Sequence, residues 1–143
     1  MTHIHKTAIV PYSPAQMYAL VNDVQHYQDF LPWCDESIIH EYDETHMRAT
    51  VKIKKSGIKQ YFTTHNTLTL NERIELTLVE GPFRKLTGVW EFKPMKGEGC
   101  RVSLDLQVEF KQGLINRAFK NVFEPIASHL VDAFCQRAGA LYD

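Results

Sequence analysis

Between residues 101 and 110 the chain alternates without a break: Val102, Leu104, Leu106, Val108 and Phe110 take one side, with polar or charged residues between them. Successive side chains of a strand point to opposite faces, so a strict period of two describes a strand with one buried and one wet face. The same period runs back to Ser37. Met47, Ala49, Val51 and Ile53 alternate with Arg48, Thr50, Lys52 and Lys54, and Ser56-Gly57 follows as a hairpin turn. Phe62, Leu68 and Leu70, then Ile74, Leu76 and Leu78, then Leu86, Gly88, Trp90 and Phe92 extend the inward face over further strands. Several strands joined by short turns predict an antiparallel meander with one solvated face.

The period becomes 3.6 at both flanks. Ser13-Pro14-Ala15-Gln16 has the residues of a capping box with proline at the first helical position, and Met17, Leu20, Val21 and Val24 give a helical stripe. That helical region is expected to end in the loop "DFLPWCDES", residues 29–37, because Pro32 biases Leu31 towards extended backbone. After Gln112-Gly113, Phe119, Val122, Phe123, Ile126, Leu130, Ala133 and Phe134 share one face of a long helix, with Pro125 inside it to bend it around the sheet. With a strand near residues 3–10, the expected order is strand, short helical segment, about six strands, long helix. Strands segregated from helices define an α+β fold, here a curved antiparallel sheet wrapped around the C-terminal helix. The length of 143 residues and 44% hydrophobic content fit a single domain, 1–143, with its own core.

No apolar run reaches the roughly 18 residues that a membrane-spanning helix needs, and the N-terminus lacks the pattern of a secretory signal, so a cytoplasmic location is expected. Cys34, Cys100 and Cys135 are odd in number and widely spaced, which suggests reduced thiols. A net charge of −1 gives no global attraction to DNA or to an anionic membrane. There is no glycine-rich phosphate loop, no H-E-x-x-H and no carboxylate pair at interpretable spacing, which disfavours an enzyme. His3 and His5 share one strand face, yet no third metal ligand is identifiable from the sequence. Cys34 has no evident orienting partner in His26 or His40.

"LVNDVQHYQDFLPWCDESII" (20–39), "EGPFRKLTGVWEF" (80–92) and "AFCQRAGALY" (133–142) resemble the RatA and coenzyme Q-binding family of the START-like, helix-grip superfamily, often labelled polyketide cyclase/dehydrase. The likeness spans essentially the whole chain, and its most specific piece is Phe30 to Cys34; Gln28 stands where the family often has proline. The resemblance implies two kinds of activity. One is non-catalytic binding of ubiquinone or a similar polyprenyl lipid between helix and sheet in support of respiratory electron transport, with no cofactor required. The other is ribosome association: binding the large ribosomal subunit and blocking subunit joining. An aromatic cyclase rests on the family label alone.

For the first reading, the expected ligand-binding residues are Leu31, Trp33, Phe62, Asn66, Phe83, Trp90, Leu106, Phe119, Phe123 and Ile126. Gly88 would leave room beside Trp90, Trp33 and Phe83 would gate the mouth, and Thr64 and Gln60 share the parity of Asn66. Ordinary core packing is the alternative for each apolar member. For the second reading, or for a transient membrane-surface contact, Lys52, Lys54, Lys55 and Lys59 cluster about the Ser56-Gly57 hairpin. Lysines that merely discourage edge-to-edge strand pairing are the alternative there.

Overall fold

The computed structural model describes residues 1–143. Seven strands form one antiparallel sheet: β1 (Thr2–Val10), β2 (Cys34–Tyr42), β3 (His46–Lys55), β4 (Ile58–Thr69), β5 (Arg73–Glu80), β6 (Phe83–Pro94) and β7 (Cys100–Phe110), in the spatial order β1-β7-β6-β5-β4-β3-β2. Six consecutive strands make the meander, and β1 returns to pair with β7 from Thr2↔Val108 to Val10↔Cys100. This is the expected α+β helix-grip arrangement.

Helix α1 (Pro14–Asn22) begins as its residues dictate. The Ser13 hydroxyl accepts from the Gln16 backbone N–H at 3.1 Å, and the Gln16 side chain accepts from the Ser13 N–H at 2.9 Å. A 3₁₀ turn over Val24–Asp29 follows and holds Val24, the last residue of the predicted stripe. The loop that comes next is shorter than expected, because Cys34 already pairs with Ile53 and so opens β2.

The C-terminal segment is two helices, α2 (Leu114–Ser128) and α3 (Leu130–Tyr142), rather than one bent rod. The break lies at His129, four residues beyond Pro125. Pro125 has no N–H for the carbonyl of Asn121, which loosens the preceding turn. The His129 N–H is then shared between the carbonyls of Pro125 and Ile126, both at 3.2 Å, while its Nδ1 approaches the Pro125 carbonyl at 2.8 Å. His129 itself leaves the helical range at φ −105° and ψ 5°, and α3 continues over β1 and β7.

One hydrophobic cluster of 31 buried residues fills the space between the sheet's concave face and the helices. All five inward residues of β7 belong to the core or pack against it, as do Met47, Ala49 and Ile53 of β3. Bulges interrupt the ladders between Cys34 and Glu36, Ile39 and Glu41, Thr63 and Thr64, and Phe83 and Lys85. The last of these lets both Phe83 and Leu86 turn inward although their spacing is odd.

Replacing the cap with Ser13→Ala removes one acceptor from the first turn of α1. The expected loss is about 1 kcal/mol, read as a lower urea midpoint with unchanged slope.

Candidate functional site

Between the sheet and the α2–α3 break lies an apolar cavity of about 110 Å³. Trp90, Leu104 and Leu106 form its floor, Ala49, Ile53 and Phe62 a wall, and Phe123, Ile126, Ala127 and Leu130 its roof. Asn22, Tyr27 and Trp33 stand at its edge beside the 3₁₀ turn. Tyr27, Trp33 and Leu130 are only half-buried, so the side between the Trp33 loop and the helix break is the thinnest cover.

Three polar side chains reach this space. The Thr64 hydroxyl donates to Asn66 Oδ1 at 2.8 Å, which leaves the Asn66 amide hydrogens unused by that bond. Asn22 Oδ1 is buried and accepts no hydrogen bond. An unpaired buried carbonyl costs about 1–3 kcal/mol, so Asn22 is the position where a donor from a guest, or a water, gains most.

Six of the expected residues meet at this cavity together with Asn66: Trp33, Phe62, Trp90, Leu106, Phe123 and Ile126. Leu31, Phe83 and Phe119 are fully buried but lie outside the lining. Phe83 is the first residue of β6 and the centre of an aromatic plug, with ring centroids 5.1–5.5 Å from those of Phe62, Phe110, Phe119 and Phe123. It is packed into the core and does not stand at the mouth of the cavity as expected. Gly88 leaves no free room either, since a Cβ there would meet the Leu106 and Leu76 methyls at 2.9 and 3.2 Å. Gln60 lines an outer groove beside Tyr61 and Lys111.

The apolar loop now divides into distinct roles. Leu31 is core, and Trp33 covers the cavity. Phe30 packs edge-on against Tyr27 and Phe134, with the Arg137 guanidinium 5.0 Å from its ring centre. Tyr27 donates its hydroxyl to the Val21 carbonyl, and burial pushes its ionisation far above the ordinary phenol range. It stays a neutral structural clamp.

Nothing near the cavity is set up for nucleophilic chemistry. Burial raises the Cys34 thiol above its usual range and pushes Cys100 up to about 11. His26 is hydrogen-bonded to Asp23 at 2.8 Å and His40 to the Thr50 hydroxyl at 2.7 Å, and neither imidazole is hydrogen-bonded to Cys34. The cross-strand register brings Asp105 to His3 at 3.0 Å and to His5 at 3.2 Å, partners that sequence spacing did not reveal. No cluster of three or more His, Cys, Asp or Glu side chains has the arrangement to hold a metal ion.

The lysine group also divides. Lys52 is paired with Glu36 at 2.9 Å and Arg48 with Glu41 at 3.4 Å, whereas Lys54, Lys55 and Lys59 stand exposed at the β3–β4 hairpin, with Lys54 directly opposite Lys59. No helix is long and apolar enough to cross a membrane.

Residues 10–135 match the family model described as polyketide cyclase/dehydrase and lipid transport. The ribosome association toxin RatA of Escherichia coli is 49% identical over 99% of this chain and 90% of its own length. The chain belongs to the RatA family of the START-like superfamily. A more distant member of the superfamily, the mitochondrial coenzyme Q-binding protein of Schizosaccharomyces pombe, is 27% identical over 91% of this chain and 82% of its own. The fold recurs in the aromatase/cyclase ZhuI of Streptomyces, with a TM-score of 0.84 at 16% identity over 96% of this chain and 93% of that one. RatA-family membership thus accompanies a fold that also serves cyclases and a quinone-binding protein.

Two outcomes check this geometry. Ala49→Val places two methyl groups into the cavity from β3, so the unfolding free energy is expected to rise by about 0.5–1 kcal/mol; a loss of similar size means the space is already filled. At pH 8, Cys34 and Cys100 are expected to react with iodoacetamide at least about tenfold more slowly in the folded chain than in urea, by mass spectrometry of the labelled peptides.

Proposed function

We propose that this chain is a non-catalytic ribosome-association factor that binds the large ribosomal subunit and hinders its joining with the small one. The observation that carries the reading is 49% identity, over nearly the full length of both chains, to a protein named for ribosome association. The Lys54, Lys55 and Lys59 hairpin is the surface we assign to ribosomal RNA, because its charges are not consumed by neighbouring acids and each phosphate it neutralises releases counterions.

Binding of ubiquinone or a related polyprenyl lipid is the second reading, supported by the apolar cavity and by the coenzyme Q-binding relative at 27% identity. Size weighs against it. The cavity of about 110 Å³ falls below the roughly 150 Å³ that admits benzene in an engineered core, and below the roughly 300–1,000 Å³ of ordinary ligand sites. A quinone ring would have to displace the Trp33 loop, and an isoprenoid tail would need still more room.

The test is sucrose-gradient sedimentation of cell extracts after overexpression. The free-subunit peaks are expected to rise and the protein to travel with the large subunit; Lys54→Glu/Lys55→Glu/Lys59→Glu is expected to weaken that association by about tenfold or more at about 0.1 M salt. A chain that stays at the top of the gradient and leaves the subunit profile unchanged overturns the proposal. Ubiquinone found by mass spectrometry in organic extracts of the purified protein would instead favour the second reading.

A further inference from the structure

The first turn of α2 carries two neighbouring aliphatic side chains into solvent: Leu114 is 81% exposed and Ile115 70% exposed. Single exposed leucines are common on any protein, but an adjacent pair this open at a projecting tip is not explained by packing. Helix α2 follows β7 after Lys111-Gln112-Gly113, and its first fully covered residue is Phe119, more than one turn into the helix. The turn is nevertheless held in place, since the Asn116 amide donates to the Gln112 carbonyl at 2.9 Å and the Arg117 N–H to that of Gly113 at 3.0 Å. The pair is therefore presented by ordered backbone.

The charge along this stretch of chain is one-sided, although Glu80 of β5 lines the groove that holds Lys111 and Asn116. Residues 110–123 contain Lys111, Arg117 and Lys120, all exposed, and no acid, in a chain whose net charge is −1. Of the flanking acids, Glu109 faces Arg84 at 4.0 Å, while Glu124 keeps its charge as it accepts the Thr2 hydroxyl at 2.6 Å, so the cations of this segment still outnumber its unpaired acids. Lys111 also shares a groove with Gln60 of β4, so the cationic hairpin lies at the same end of the molecule and adds to the positive field.

From this geometry we infer that the α2 tip docks on the surface of an anionic phospholipid bilayer, with Leu114 and Ile115 entering the interfacial region and Lys111, Arg117 and Lys120 meeting the headgroup phosphates. A polyanion such as RNA would satisfy the cations and offer nothing to two aliphatic side chains. A neutral apolar partner would take the aliphatic pair and leave three cations facing it. An anionic bilayer matches both, and the combination of a short apolar insertion with flanking basic residues gives reversible, salt-sensitive attachment. The inference is distinguishable from the ribosome reading, because the residues varied in its test lie outside the hairpin assigned to RNA.

The full chain is mixed with vesicles of phosphatidylcholine alone or containing about 30% phosphatidylglycerol and co-sedimented at about 0.1 M salt. Binding is expected only with the anionic vesicles. Leu114→Ser/Ile115→Ser is expected to weaken it by roughly tenfold or more and Lys111→Glu/Arg117→Glu/Lys120→Glu to abolish it, both with unchanged melting temperature. The serine variant should still travel with the large ribosomal subunit if the unmodified chain does. Absence of binding to the anionic vesicles, or equal binding by the serine variant, overturns the inference. So does a serine variant that converts a dimer to a monomer while vesicle binding persists, since the tip would then face a second copy of the chain. Loss of subunit co-sedimentation by the serine variant with vesicle binding intact assigns the tip to the ribosome and also overturns it.

Discussion

A straight helix cannot stay in contact with a strongly curved sheet, and the break at His129 is what resolves that mismatch. By interrupting the backbone ladder four residues after Pro125, the chain obtains two short helices, each of which lays its own apolar stripe on a different part of the concave face. The consequences propagate outward. Where α2 packs against the sheet, Phe119 and Phe123 close on Phe83 to form the aromatic plug. Where the backbone changes direction, Ala127 and Leu130 lie over a gap, and the cavity sits there. At the other end of α2, the first turn leaves Leu114 and Ile115 exposed.

A cavity of this size is energetically expensive. At about 24 cal/mol per Å³ it costs roughly 2–3 kcal/mol, a noticeable part of a domain's stability of about 5–15 kcal/mol. Its lining explains how the fold tolerates it. Gly88 and Ala49 keep the sheet side shallow, the Leu76 and Leu106 methyls occupy the space above Gly88, and Trp33 covers the side that would otherwise open to water. The unpaired Asn22 carbonyl adds to the cost and lies at the edge beside Trp33.

The sheet was largely legible because a period of two states directly which residues face inward, and β3, β4, β6 and β7 carry that period through their central residues. It fails at the bulges, where an extra residue changes the parity. Phe83 shows this most clearly: following Gly81-Pro82 it reads as a loop residue at a mouth, yet the bulge between Phe83 and Lys85 turns it into the core. Gly88 was misread for a different reason. Absence of a side chain signals space, but the sequence does not say which neighbour fills it, and here Leu106 does. Register is equally hidden, so the meeting of Asp105 with His3 and His5, and the pairing of Lys52 with Glu36, had to await the fold. Pro125 marked the helix as bent while the break itself fell at His129, where a side chain and a backbone N–H compete for the same carbonyl.

The interior and the exterior of this fold answer to different constraints, and that separation bears on function. A residue in the plug or the cavity wall cannot change without repacking its neighbours, so relatives with different activities can share the same sheet and helices, as the aromatase/cyclase match at 16% identity illustrates. A charged tip or hairpin carries no such penalty, because Lys54, Lys55, Lys59 and the first turn of α2 contribute little to the core. Activity that depends on a large partner is therefore free to reside in the exposed cations and the Leu114-Ile115 overhang. The cavity lies apart from those exposed residues, at the junction where the broken helix meets the sheet.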